Sequence, residues 1–140
     1  MSRPGLGFGM RHVALFVRDL AACEHFYVDL LGMEVEWRPD DHNVYLTSGG
    51  DNVALHQAEP GIQRDETTQR LDHIGFFLDS AEAVDHWFAW LHSQQVRIRS
   101  EPRDHRDGAR SFYCYDPDGT LVQMIHHPEV SQWEQLKGLN

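Results

Sequence analysis

Two segments of the chain share one pattern of hydrophobic and polar positions. A shift of 61 positions (73 − 12) aligns residues 12–37, HVALFVRDLAACEHFYVDLLGMEVEW, with residues 73–98, HIGFFLDSAEAVDHWFAWLHSQQVRI, without a gap. Apolar residues then coincide at Val13/Ile74, Leu15/Phe76, Phe16/Phe77, Val17/Leu78, Ala22/Ala83, Phe26/Trp87, Leu30/Leu91 and Val35/Val96. Because the match is long and includes a change of periodicity, we interpret the chain as two copies of one unit.

Each copy begins as a strand and continues as a helix. The β-branched and aromatic runs at 13–17 and 74–78 are typical of buried strands. Asp19 and Ser80 follow at positions where a side-chain oxygen caps the first free amides of a helix. Gly32 is placed to end the first helix in the left-handed conformation. Apolar residues that recur every four positions predict one buried stripe per helix, formed by Ala22, Phe26 and Leu30 and by Ala83, Trp87 and Leu91.

A second strand follows in each copy, at about 33–38 and at about 96–99, and a hairpin then closes the copy. The hairpin strands are 44–47 and 52–57 in the first copy and 111–115 and 120–125 in the second. Their connections, SGGD at 48–51 and DPDG at 116–119, have the chemistry of tight turns. Each copy is therefore a βαβββ module.

The two modules fit one domain of ordinary size in a chain of 140 residues. They span about 10–57 and 71–127, and the polar segment 58–70 links them. In the tail at 128–140, Ser131 and Glu134 have the spacing of a capping box and predict a short final helix.

Composition restricts the possible partners. The chain carries 12 Lys and Arg against 22 Asp and Glu, a net charge of −10, and has no basic stripe, which argues against nucleic acid. No apolar run approaches the roughly 20 residues that cross a bilayer, and the N-terminus lacks the apolar region of a secretory signal. The two cysteines, Cys23 and Cys114, do not make a disulfide framework. We therefore expect a cytoplasmic protein whose cysteines are small buried residues rather than nucleophiles.

The candidate metal site starts from the histidines that head the two copies, His12 and His73. We expect the opening strands of duplicated units to be neighbours in the assembled sheet, which brings two imidazoles together as ligands of a transition metal. Gln123, on the last strand, offers an uncharged amide oxygen, and His56 is the best fourth ligand by residue type. The alternative is that each histidine is a hydrogen-bonded residue at the start of a strand.

An arginine-rich segment, 101–110, precedes the last hairpin. Arg103, Arg106 and Arg110, with a glycine hinge at Gly108, are suited to a lid that pairs with an anionic substrate. The alternative is a solvated loop with its own Asp–Arg pairs.

Paired βαβββ units, a histidine at the head of each unit and the closing run SFYCYDPDGTLVQMI make the chain resemble the vicinal oxygen chelate superfamily over about residues 10–127. That superfamily includes glyoxalase I, fosfomycin-resistance thiol transferases, bleomycin-resistance proteins and extradiol ring-cleaving dioxygenases. The resemblance implies an α+β fold in which two tandem modules form a curved mixed sheet around a cleft, with the helices outside. It also implies a homodimer, with each site built within one chain or from both.

The same resemblance implies a ligand set and a cofactor. The family's two metal-binding histidines correspond to His12 and His73, and the family's glutamate on the final strand corresponds to Gln123. His56 is the nearest match to the further ligand of glyoxalase I. The implied cofactor is a divalent metal, iron or manganese for oxygen activation and nickel, zinc or cobalt for isomerase or lyase chemistry.

The segment 105–123 resembles the extradiol dioxygenases more closely than the other branches. By this resemblance His105 orients or protonates the substrate, and Tyr113 donates a hydrogen bond to a bound catecholate. Two features differ from that branch: the terminal Gln123, and the lack of a histidine near Asp51 and Asn52.

Two functions follow as hypotheses. The first is a metal-dependent enzyme that chelates adjacent oxygens of a small substrate, with ring cleavage slightly favoured over lyase chemistry. The second is a metal-free binding protein of the bleomycin-resistance type, in which the net negative charge suits a cationic guest. The aromatic residues that would hold a ligand are Trp37, Tyr45, Phe112 and Tyr113.

Overall fold

Each half of the chain folds into its own four-stranded mixed sheet in the computed structural model, which describes residues 1–4, 7–8, 10–65 and 71–130. The chain divides into two units, residues 1–59 and 60–140. Both sheets have the same topology, because the first strand pairs in parallel with the last strand of its own unit and the remaining pairs are antiparallel. The predicted pair of βαβββ modules of the α+β class is confirmed.

The first unit has the strand order β1-β4-β3-β2. Its elements are β1 (His12–Val17), α1 (Leu20–Glu24), β2 (Glu34–Asp40), β3 (Asn43–Thr47) and β4 (Asn52–Gln57). Asp19 caps α1 as predicted, since its Oδ1 atom accepts a hydrogen bond from the Ala22 amide at 3.0 Å. Gly32 ends the helical segment with a φ of +91°, a conformation that favours glycine.

The helix of the first unit differs from the predicted stripe. After α1 the chain continues as a π-helix over His25–Leu30, in which the Leu31 amide bonds to the Phe26 carbonyl at 3.0 Å. The wider turn places two consecutive aromatic residues, Phe26 and Tyr27, in the core. The stripe Ala22, Phe26 and Leu30 was therefore wrong in part, because it assumed an α-helical period throughout.

The second unit has the strand order β5-β8-β7-β6. Its elements are β5 (Ile74–Phe77), α2 (Ala81–Ser93), β6 (Ile98–Asp104), β7 (Arg110–Tyr115) and β8 (Leu121–His126). Ser80 caps α2 as predicted, with its Oγ atom 3.1 Å from the Ala83 amide. The helix contacts β6, β7 and β8, and buries Val84 and Leu91 completely.

The expectation that β1 and β5 are neighbours in one sheet was wrong. Each is the edge strand of a separate sheet, hydrogen-bonded to β4 or to β8. The predicted lid at 101–110 was also wrong, because β6 continues to Asp104 and β7 begins at Arg110. The residues between them form a tight turn, closed by a bond from the His105 amide to the Ala109 carbonyl at 2.8 Å.

The linker is attached to the second unit by an ion pair. The Arg64 guanidinium contacts the Asp118 carboxylate, which lies in the closing turn of the last hairpin and is 2% exposed on its side chain. The same turn is held by Asp116, whose Oδ1 atom accepts from the amides of Asp118 and Thr120. The rest of the linker, 66–70, and the helix predicted from Ser131 and Glu134 lie outside the described residues. Within the described ranges, no helix is long and apolar enough to cross a membrane.

Candidate metal and substrate site

His12 is held in one orientation by a chain of three side chains on the first sheet. Its Nδ1 atom lies 2.7 Å from Asn52 Oδ1, and Asn52 Nδ2 donates to Glu36 Oε1 at 3.0 Å. A carboxylate only accepts hydrogen bonds, so the Asn52 amide must direct its oxygen at His12. His12 Nδ1 is therefore the donor, and Nε2 carries the lone pair of the neutral ring. In metal-binding histidines the ring nitrogen that does not bind the metal commonly donates a hydrogen bond of this kind, which fixes the tautomer and the ring orientation.

His56 is held by a second chain of the same kind. Its Nδ1 atom lies 2.5 Å from Asn43 Oδ1, and Asn43 Nδ2 donates to Asp40 Oδ1 at 2.8 Å. Hydrogen bonds from the His42 backbone amide and the Asn43 side chain hold the pKa of Asp40 below its ordinary value. Asp40 is thus anionic at neutral pH, and it fixes the Asn43 amide and the His56 ring.

The structure separates His56 from His12. They lie on the same face, but His12 pairs with Asn52 while His56 pairs with Phe16, four residues further along β1. That spacing is about 13 Å along the strands, and the Tyr45 ring contacts both imidazoles, at 6.3 and 6.1 Å between centroids. Because each metal–nitrogen bond is only about 2 Å long, one ion does not take both rings as ligands.

The strand register also changes the comparison between the two modules. Tyr45 lies beside His12 and pairs with Ala54, whereas Tyr113 lies beside His73 and pairs with Gln123. The counterpart of Gln123 in the first unit is therefore Ala54, which has no donor atom in its side chain. His56 is two residues beyond that position.

His73 lies at the start of the second sheet, and its Nδ1 atom is hydrogen-bonded as that of His12 is. Its Nδ1 atom lies 2.6 Å from Asp72 Oδ2, and its ring meets the Tyr113 ring edge to face at 5.4 Å between centroids. Because the Asp72 carboxylate is an acceptor, Nδ1 donates and Nε2 again holds the lone pair. Both histidines that head the units thus offer Nε2.

Gln123 is 9% exposed on β8 and faces the same side of the second sheet as Gly75 and Tyr113. Its Nε2 atom donates to Ser111 Oγ at 3.1 Å. Its Oε1 atom lies over Gly75, 3.8 Å from the position that a Cβ atom would take there. Gly75 is two residues from His73 along the strand direction, so the amide oxygen is turned towards the strand that His73 heads.

His105 is partly buried, and its ring is hydrogen-bonded within the second unit. Its Nε2 atom lies 2.8 Å from the Oγ atom of Ser111, the same hydroxyl that accepts from Gln123. Ser111 is 1% exposed. The structure therefore links His105 to the Gln123 amide through one buried hydroxyl.

Phe112 is a correction to the predicted ligand-binding aromatics. Alternation along β7 turns Tyr113 to the face of Gln123 and Phe112 to the opposite face, where Phe112 is fully buried and packs edge to face on Phe88 at 5.5 Å. Phe112 is a core residue. Tyr45 and Trp37 lie on the histidine-bearing side of the first sheet, 5.1 Å apart between ring centroids.

The three arginines of segment 101–110 differ in their surroundings. Arg110 donates to Asp85 at 2.8 Å and to Asp104 at 3.1 Å, and these two carboxylates raise the pKa of its guanidinium. Arg110 therefore joins β7 to α2 and β6, and is a correction to the predicted substrate-binding set. Arg103 and Arg106 are exposed.

The cysteines are buried, as predicted. Both are fully excluded from solvent, and burial raises the pKa of the Cys114 thiol to about 12. Neither thiol is exposed to a small molecule in solution in the folded protein.

Each unit carries donor atoms of the types that divalent transition metals accept: an imidazole nitrogen at His12 in the first unit, and an imidazole nitrogen at His73 and an amide oxygen at Gln123 in the second. In the part of the chain that the structure describes, no three His, Cys, Asp or Glu side chains form a metal-binding group. The residues that orient His12, His56 and Gln123 are not among those that the sequence pattern singled out. Their signal was a polar side chain at the first or second residue of a hairpin strand, at Asn43, Asn52 and Ser111.

The model of one protein family, the Glyoxalase/Bleomycin resistance protein/Dioxygenase superfamily, matches residues 9–124. Among curated proteins, the metallothiol transferase FosB of Staphylococcus epidermidis is 36% identical over 82% of this chain and 79% of its own length. The metallothiol transferase FosB of Staphylococcus saprophyticus is 32% identical over 82% of this chain and 74% of its own length.

Two solved structures share the fold. Lactoylglutathione lyase from Agrobacterium tumefaciens superposes with a TM-score of 0.71 and 23% identity, covering 94% of this chain and 98% of that one. The fosfomycin resistance protein FosX from Listeria monocytogenes superposes with a TM-score of 0.69 and 21% identity, covering 89% and 97%.

Proposed function

Because the chain belongs to the Glyoxalase/Bleomycin resistance protein/Dioxygenase superfamily, we propose that it is a metal-dependent thiol transferase acting on a small electrophile. The observation that carries the proposal is the state of His12 and His73, both of which donate through Nδ1 and leave Nε2 for a ligand. The similarity to metallothiol transferases, over most of both chains, supports the same class of reaction.

The proposed metal ligands are His12 Nε2, His73 Nε2 and Gln123 Oε1. A bound divalent cation would polarise an oxygen of the electrophile and so favour attack by a thiol. His56 is left out of this set, because it lies about four residues along the strands from His12. Tyr113, in contact with His73, is proposed to bind the substrate beside the metal.

Fosfomycin is the electrophile to test first, because one structural neighbour is named as a fosfomycin resistance protein. It contains an epoxide and an anionic phosphonate. In the proposed reaction the thiol sulfur bonds to an epoxide carbon, the carbon–oxygen bond breaks, and the oxygen takes the proton that the thiol gives up. Arg103 and Arg106, which are exposed, are proposed to attract the phosphonate. The attacking thiol is a second substrate, because Cys23 and Cys114 are buried.

The proposal is tested on protein purified without a histidine tag. Metal content is measured by mass spectrometry and metal affinity by calorimetry. The protein is then incubated with fosfomycin, a divalent metal and a panel of low-molecular-weight thiols, and the adduct is detected by mass. We expect stoichiometric metal and an adduct that the His12→Ala/His73→Ala double variant does not form. Sub-stoichiometric metal that the double variant leaves unchanged contradicts the proposal.

Extradiol ring cleavage receives no support from the curated relatives, whose names describe thiol transfer. Its predicted acid, His105, bonds to Ser111. A panel of catechols assayed with iron or manganese for yellow products is therefore expected to give no turnover.

A metal-free binding protein is the second candidate function. The observation that favours it is the aromatic surface of the first sheet, where Phe16 is 71% and Trp37 is 59% exposed. Together with the net charge of −10, this surface suits an aromatic cation. Micromolar quenching of tryptophan fluorescence by such a cation in the presence of a chelator, lost in Trp37→Ala, would support this function.

A homodimer also belongs to the proposal. Large apolar side chains on the surface of each unit, Phe16, Trp37, Phe77 and Trp90, are exposed by 44% or more. Exposed apolar residues of this size are typical of interfaces. Light scattering coupled to gel filtration should give twice the chain mass of 16.2 kDa, and a mass of one chain at micromolar concentration contradicts the dimer.

A further inference from the structure

The side chains of His105, Ser111 and Gln123 form a hydrogen-bonded chain inside the second unit. His105 Nε2 and Ser111 Oγ are 2.8 Å apart, and Gln123 Nε2 and Ser111 Oγ are 3.1 Å apart. Ser111 is 1% and Gln123 is 9% exposed, so water competes little for these groups. The three residues come from the β6–β7 turn, from β7 and from β8.

A hydroxyl has one proton, so the chain has a direction. If His105 Nε2 accepts, the Ser111 proton points at His105, and the Ser111 oxygen receives an N–H from Gln123. If His105 Nε2 donates instead, the Ser111 hydroxyl can turn its proton to Gln123. The Gln123 amide oxygen then points at Ser111 and accepts this hydrogen bond. In the first direction Gln123 turns its amide oxygen away from Ser111. In the second direction it turns its NH2 group away from Ser111. In the structure Gln123 Nε2 donates to Ser111 Oγ, which is the arrangement that the first direction requires.

We infer that His105 is a positioning residue which, through the Ser111 hydroxyl, holds the Gln123 amide with its oxygen towards the metal. This inference rests on the proposed function, since it takes Gln123 Oε1 as a ligand. An amide needs such control because its two ends differ: the oxygen attracts a cation and the NH2 group repels one. A carboxylate, with two equivalent oxygens, does not need it.

The contact at Gly75 supports this assignment. Gln123 Oε1 lies over Gly75, on the strand that begins directly after His73. The position of His105 is fixed independently of its side chain, because its amide bonds to the Ala109 carbonyl and its carbonyl accepts from the Gly108 amide. The His105 imidazole is therefore attached to a closed turn, which suits it to orienting the Ser111 hydroxyl.

The first test is made on the metal-free wild-type protein. A long-range ¹H–¹⁵N NMR spectrum distinguishes a protonated imidazole nitrogen from one with a lone pair. We expect His105 Nε2 to hold the lone pair, and the Gln123 NH2 protons to exchange with solvent more slowly than those of the exposed Gln94. A proton on Nε2 of the neutral ring overturns the inference.

The second test is a double-mutant cycle read out as metal affinity by calorimetry. His105→Ala should weaken metal binding about tenfold in the wild-type background, within the range found for residues that orient ligands. In the Gln123→Glu background the same change should weaken it less than about threefold, because a carboxylate has no wrong end. His105→Gln should restore most of the loss, since its side-chain oxygen can accept from Ser111.

The exposed His86 provides the matched control, and His86→Ala should leave the metal affinity unchanged in both backgrounds. An equal loss from His105→Ala in both backgrounds indicates a merely structural role and overturns the inference. A wild-type protein that binds no metal contradicts the proposed function instead, and the NMR measurement still decides the direction of the chain.

Discussion

His12 Nδ1 lies 2.7 Å from Asn52 Oδ1, and the two residues are direct partners across the parallel strands β1 and β4 although they are 40 positions apart in the chain. The pairing exists because the first strand of each module is hydrogen-bonded to the last. It gives a histidine at the exposed edge of a sheet a defined lone pair at Nε2. The amide of Asn52 is itself fixed by Glu36.

The first prediction concerns this pair. Asn52→Ala removes the acceptor of His12 Nδ1, so the ring can rotate or present the wrong nitrogen. We expect metal affinity to fall by about 10- to 100-fold, as measured by calorimetry. Asn43→Ala is the matched control, because it removes the same contact from His56, which is not among the proposed ligands. Equal losses in the two variants would contradict the assignment of His12.

The second prediction concerns the amide where the family resemblance implies a glutamate. Gln123→Glu places a negative charge on one of the proposed ligands, and a carboxylate binds a divalent cation more strongly than an amide oxygen does. We expect the affinity for manganese or zinc to rise by about tenfold or more, equivalent to about 1.4 kcal/mol. The isosteric change leaves the shape of the residue intact. An affinity that does not change would show that Gln123 is not a ligand.

The third prediction concerns the ion pair that ties the linker to the last hairpin. Arg64→Ala removes the guanidinium beside the Asp118 carboxylate, which is 2% exposed on its side chain. The Asp118 carboxylate is nearly excluded from solvent and loses a charged partner, so the free energy of unfolding should fall by about 1 to 3 kcal/mol, measured by urea denaturation. Arg106→Ala, in an exposed turn, should change it by less than about 0.5 kcal/mol. A fall of similar size in both would contradict this account.

The fourth prediction concerns the thiols. Burial raises the pKa of Cys114 from 9.0 to about 12, so the folded state holds this proton more tightly than the unfolded state does. The resulting stability is complete below about pH 9 and is lost as the pH rises towards 12. At pH 8 a thiol reagent should leave the folded protein unmodified for hours and label both cysteines in denaturant. Rapid labelling of the folded protein would contradict the burial of both thiols.

Local order in the chain was predictable from the sequence because it depends on neighbouring residues. The N-caps at Asp19 and Ser80 and the left-handed Gly32 all follow from residue chemistry within one or two turns, and all three are confirmed. The first helix was predictable only in part. Its π-helical continuation buries two adjacent aromatic residues, and an α-helical period of apolar positions does not reveal this.

Side-chain orientation on the strands was predictable where the strand itself was assigned correctly. Alternation along β8 turns Gln123 to one face and Val122 and Met124 to the other, and the latter two are buried. The same alternation along β7 turns Phe112 away from the face of Tyr113 and Gln123 and into the core. The error at the lid arose because charged and proline residues in 101–104 obscured an edge strand.

The sequence by itself determined the duplicated module, its caps and turns, and the types of donor atom at His12, His73 and Gln123. These depend on local periodicity and on residue chemistry, which are readable along the chain. The tertiary structure decided which nitrogen of His12 is available and which end of the Gln123 amide is turned away from Ser111. It did so through partners such as Asn52, 40 positions away, and Ser111, 12 positions away. Those hydrogen bonds depend on strand register, and register is set only when the whole sheet is assembled.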